Sequence, residues 1–107
     1  MITDHYTYRI SWSPHDAEYV ATCAEFPSLS WLDEDQVEAL KGIKQLVRDV
    51  TDDLAVTGEA IPVPIADQNF SGKFLVRLPP ELHRRLALEA AESGLSLNRL
   101  ASFKLAD

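Results

Sequence analysis

The chain has 107 residues, 46% hydrophobic and 25% charged, with a net charge of −7 at pH 7. That length suits one domain, or one small domain with an appended module. A single cysteine, Cys23, excludes an internal disulfide and a cysteine-built zinc site. With no signal peptide and no apolar run long enough to cross a bilayer, a cytoplasmic location is expected.

From the N-terminus, His5 to Trp12 (HYTYRISW) alternates and is rich in aromatic and branched residues, which predicts a strand. Ser13-Pro14-His15-Asp16 is turn chemistry, and Glu18 to Ala24 completes a hairpin in which Cys23 is a small buried hydrophobe. Phe26-Pro27-Ser28 turns the chain into a short third strand, Leu29 to Leu32. Asp35 and Glu38 then have the spacing of a capping box, and acids there suit a helix dipole. Val37, Leu40, Ile43, Val47, Val50 and Leu54 step by three or four, with Leu46 beside them. That stripe predicts a helix covering one sheet face and ending before Gly58. Ile61 to Ile65 (IPVPI) is expected as a fourth, edge or irregular strand, because its prolines cannot donate to a central ladder. The result is an α+β domain of order β-β-β-α-β over residues 1–66, followed by a polar, glycine-ended linker at 67–72.

The remainder, residues 73–107, has a different character. Lys73 to Leu78 alternates, so Phe74, Val76 and Leu78 share one face and Lys73, Leu75 and Arg77 the other. Pro79 and Pro80 stop the strand, and Pro80 with Glu81 suits a helix start. Leu82, Leu86 and Ala90 share a helical face, Arg84 and Arg85 point to solvent, and Gly94 is a left-handed stop. Ser96 caps a second helix running from Leu97 to about Leu105. The free N–H groups at Ser96, Leu97 and Asn98 form a ready phosphate clamp. A unit of about thirty-five residues hides too little apolar surface to stand alone, so it needs a second copy.

This strand-helix-turn-helix order resembles the ribbon-helix-helix DNA-binding proteins, whose strands pair antiparallel across a dimer and enter the major groove. The resemblance implies a homodimer or higher homo-oligomer with Phe74, Val76, Leu78, Leu82, Leu86 and Leu100 in the shared core. It makes Lys73, Leu75 and Arg77 the face that reads double-stranded operator DNA, with the start of the second helix holding the backbone.

Five segments in order resemble the HicB family of antitoxins across nearly the whole chain. They are Glu25-Phe26-Pro27-Ser28-Leu29-Ser30, Glu38-Ala39-Leu40-Lys41-Gly42-Ile43, Ser71-Gly72-Lys73-Phe74, Leu78 to Leu86 (LPPELHRRL) and Gly94 to Leu100 (GLSLNRL). This resemblance implies a partial ribonuclease H-like N-terminal domain. It also implies a partner, a small basic HicA-type ribonuclease acting on mRNA, and repression of the chain's own operon.

Charge is divided accordingly. Residues 1–71 hold thirteen acids against four cations, a net of −9, and residues 72–107 hold six cations against four acids, a net of +2. Such asymmetry argues for two modules with different partners. Asp16, Glu18, Glu25, Asp33, Glu34 and Asp35 are the candidate toxin contacts, since an acidic surface steers towards a cationic one.

Catalysis is not expected. Adjacent Asp33, Glu34 and Asp35 cannot converge on one metal pair, and His5, His15 and His83 lack a ligand spacing. No motif calls for a cofactor. Two rivals remain: a stand-alone regulator whose N-terminal domain senses a ligand or sets oligomer state, and, ranked last, a metal-dependent nuclease.

Overall fold

Tyr8–Ser13 (β1), Glu18–Cys23 (β2) and Ser30–Asp33 (β3) form an antiparallel sheet of order β1-β2-β3 in the computed structural model, which describes all 107 residues. The chain divides into two compact units, Met1–Phe70 and Ser71–Asp107. In the first, Tyr8 faces Cys23, Ile10 faces Ala21 and Trp12 faces Tyr19, while Ala21 and Tyr19 also face Trp31 and Asp33. Residues directly opposite share a face, so these side chains form the sheet side that meets the long helix. The other side carries Arg9, Ser11, Val20, Thr22 and Leu32. The first strand begins at Tyr8 rather than His5, because Ile2–His5 winds into a single 3-10 turn. Asp4 in that turn is held by Lys44 at 3.0 Å and by the terminal amine at 3.3 Å.

Helix α1 spans Gln36–Thr57. Asp35 caps it: its Oδ1 accepts the N–H groups of Val37 and Glu38 at 2.9 and 3.0 Å. The reciprocal arm of a capping box is not made. The Asp35 N–H donates to Asp33 Oδ1 at 2.8 Å, and Glu38 pairs with Lys41 at 3.2 Å. Ala39, Ile43, Val47 and Thr51 are the buried positions, with Leu46, Val50 and Leu54 packed at the margins. The apolar stripe therefore starts at Ala39, and Val37 is 60% exposed. A 22-residue helix is about 33 Å long, and strands of four to six residues are much shorter, so the helix overhangs the sheet. Gly58, at φ 76°, ends it in the left-handed conformation.

The core consists of Tyr6, Ala21, Cys23, Phe26, Ala39, Ile43 and Val47, with Tyr6 and Phe26 packed edge to face. Burial raises the pKa of the Cys23 thiol, whose Sγ lies 3.6 Å from Glu25 Oε1, and it pushes the Tyr8 phenol up to about 12.

The expected fourth strand is absent, so the order is β-β-β-α. Residues 61–64 join no ladder, and Ile65–Asp67 form a 3-10 turn. Pro62 and Pro64 have no N–H to donate, and side chains pin the segment instead. The Tyr6 hydroxyl donates to the Pro62 carbonyl at 2.7 Å, Glu25 accepts the Ile65 N–H at 2.9 Å, and His5 Nδ1 lies 2.7 Å from Asp67.

In the second unit, α2 spans Pro80–Glu92 and α3 spans Leu97–Leu105. Between them Gly94 adopts φ 68°, and the Leu95 N–H returns to the Ala90 carbonyl at 2.9 Å, as a left-handed helix stop requires. Lys104 bridges to Glu89 at 3.2 Å and ties α3 to α2.

Candidate nucleic-acid and partner surfaces

The segment Lys73 to Leu78 forms no ladder within the single chain, and all six residues are exposed. The expected division into a buried and an outward face is therefore not present here. Phe74 is 75% exposed, nearly as much as Leu75 at 82%. Of the expected dimer core, only Leu100 is buried; Leu82 and Leu86 are half-buried, and Phe74, Val76 and Leu78 lie in solvent. The reason is physical: a strand needs hydrogen-bonding partners, and two short helices offer none. Phe74, Val76 and Leu78 instead line an open groove of about 530 Å³ with Leu86, Leu97 and Leu105.

Around that groove the cations divide into two sets. Arg99 lies over the Phe103 ring at 5.8 Å and Lys104 is bound to Glu89, so both act within the unit. Lys73, Arg77, Arg84 and Arg85 have no carboxylate partner. At the start of α3, Ser96 Oγ accepts the Arg99 N–H at 3.1 Å. That capping bond leaves the N–H groups of Leu97 and Asn98 without an intrahelical acceptor, as at any helix start. Lys73, Leu75, Arg77 and Asn98 are all exposed.

In the first unit the candidate acids do not act as one set. Asp16 and Glu18 belong to the β1–β2 hairpin, Asp33 ends β3 opposite Tyr19, and Glu34 and Asp35 lead into α1. These five share one end of the sheet. Three have local tasks as well: Asp16 exchanges hydrogen bonds with Ser13, Asp33 holds the Asp35 N–H, and Asp35 caps α1.

Glu25 follows β2 at the other end and is turned inward. One of its oxygens accepts the Thr7 N–H at 2.9 Å, and the other accepts the Ile65 N–H at 2.9 Å and the Thr7 hydroxyl at 3.2 Å. Burial works against its ionised form, but the Ile65 and Thr7 N–H groups outweigh it and hold the carboxyl below its ordinary pKa. Its charge serves the fold. Sequence reading missed that role because the partner Ile65 lies forty residues further on.

No three His, Cys, Asp or Glu side chains come together as a metal site, and no helix is long and apolar enough to cross a membrane. No curated protein and no solved structure matches the chain. The model of the HicB family matches residues 56–105, from the last turn of α1 through α3. This part of the chain is similar to the HicB family.

Proposed function

We propose that this chain is an antitoxin whose two units serve two partners. The N-terminal unit, a partial ribonuclease H-like fold on this reading, binds and blocks a HicA-type ribonuclease that acts on mRNA. The C-terminal units of two copies pair Lys73–Leu78 into a ribbon-helix-helix dimer, which binds operator DNA and represses the operon. The observation that carries this reading is the family match over residues 56–105, which takes in the whole segment whose apolar side chains lie open in one copy. Likeness to the HicB family over these residues suggests an antitoxin role.

The physical chemistry agrees at each point. A second copy would bury Phe74, Val76 and Leu78, turning exposed apolar surface into a core. Once the strands pair, Lys73, Leu75 and Arg77 stand together on the outer face, where Arg77 can pair with guanine and Leu75 can meet a thymine methyl. The N–H groups at Leu97 and Asn98 suit a phosphate. Toxin inhibition by occlusion asks no catalysis or cofactor of this chain, and both mRNA and operator lie in the cytoplasm.

The toxin half is tested with a small basic protein encoded beside this gene. Its cleavage of mRNA is expected to stop when an equivalent of this chain is added, and the two should co-elute. Undiminished cleavage without co-elution would remove the toxin half. One observation favours a second reading: the family match does not extend over β1, β2 and β3. A stand-alone ribbon-helix-helix regulator, with a ligand-sensing or oligomerising first unit, would fit that, and the absence of any basic neighbour would select it.

A further inference from the structure

The fold leaves apolar side chains in solvent where the β1–β2 hairpin lies beside the start of α1. Trp12 is 52% exposed although it stands on the helix-covered side of the sheet. Its ring meets Tyr19 edge-on, with centroids 5.1 Å apart, and Asp33 faces Tyr19 from the next strand. Val37 and Leu40, which flank the buried Ala39 in the first turns of α1, are exposed too. Trp12, Val37 and Leu40 lie outside the buried core of Ala21, Ile43 and Val47, while Tyr19 is half-buried and packs against it.

The rim of this patch is acidic. Asp16, Glu18, Asp33, Glu34, Asp35 and Glu38 come from the hairpin, the end of β3 and the start of α1. Lys41 is the only Lys or Arg between residues 10 and 43, and Glu38 holds it at 3.2 Å. Aromatic side chains at the centre and charges at the edge are the anatomy of a protein interface. The sign of the rim selects the occupant. A nucleic acid would set phosphates against six carboxylates, and the same face of a second copy would set acids against acids.

We propose that Trp12, with Tyr19 and the exposed start of α1, is the anchor at which a cationic protein docks. An arginine or lysine of the partner lies on the Trp12 ring, as cations do on indole, and neighbouring cations meet the acidic rim. The inference rests on the ribonuclease-partner reading above and names its contact point.

A fluorescein-labelled nona-arginine peptide serves as probe, with anisotropy measured on the full chain. Trp12→Ala is expected to weaken binding about tenfold, Trp12→Phe to restore most of it, and Asp52→Asn with Asp53→Asn to change it less than twofold. The last pair lies near the other end of α1, so it separates the patch from net charge. Binding of Trp12→Ala within twofold of wild type, or an equal loss from the distant pair, overturns the proposal. The same variants with the basic neighbour protein separate the two ideas. A neighbour protein that binds regardless of Trp12 sinks the anchor and spares the toxin reading. A neighbour protein that fails to bind, beside a Trp12-dependent peptide, sinks the toxin reading and spares the anchor.

Discussion

Pro62 and Pro64 have no N–H for a ladder, and Glu25 takes over part of the anchoring with one oxygen on Thr7 and the other on Thr7 and Ile65. Because the folded carboxyl titrates below its unfolded value, the unfolded chain takes up the proton first as the pH falls. The stabilisation is complete above the ordinary glutamate range and is lost as the pH drops through the folded value. Glu25→Gln is thus expected to cost about 1–3 kcal/mol at pH 7, and its gap from wild type should close at acid pH. Urea unfolding at several pH values measures this, and a gap that stays constant below pH 4 would contradict it. From the sequence, Glu25 and Glu34 were equal candidates, since both were read only as acids of one acidic surface. What separates them is a contact forty residues away, and no local pattern encodes it.

At the scale of elements, legibility follows the range of the interaction. The Asp35 cap, the Gly58 and Gly94 stops and the Ser96 cap are set within a few residues, and each was readable from its spacing. The hairpin was readable too, because β1 and β2 are joined by their own turn. The strand expected at 61–65 was not, because a strand exists only where a partner receives it. The buried stripe was misplaced at its start by part of a turn: Ala39 is buried where Val37 and Leu40 were expected, because periodicity gives a face while packing decides which edge of it is covered.

Helix-on-sheet contact also sets one glycine. A Cβ at Gly42 would collide with the Trp31 indole that lies on it. Gly42→Ala gains up to about 1 kcal/mol of helix propensity, and overpacking costs about 1–3. The net expectation is a loss of about 1 kcal/mol and a red shift of tryptophan emission as Trp31 turns outward. A gain in stability with unchanged emission would show that the contact is not tight.

At the scale of the whole molecule, the second unit leaves Phe74, Val76 and Leu78 in solvent, and strand pairing between two copies would cover them. Val76→Asp puts an unpaired charge into that shared core and is expected to yield a monomer by sedimentation velocity. A dimer as stable as wild type would rule out pairing through this strand. On the proposed function, operator reading would follow from the same pairing, and the most direct measurement is binding to DNA from upstream of the gene, titrated with salt beside Arg77→Ala. Specific binding that weakens with salt, and by about 1–3 kcal/mol in the variant while its fold is kept, is the expected result. Specific binding of equal strength with and without Arg77, or no specific binding by the dimer, would contradict it.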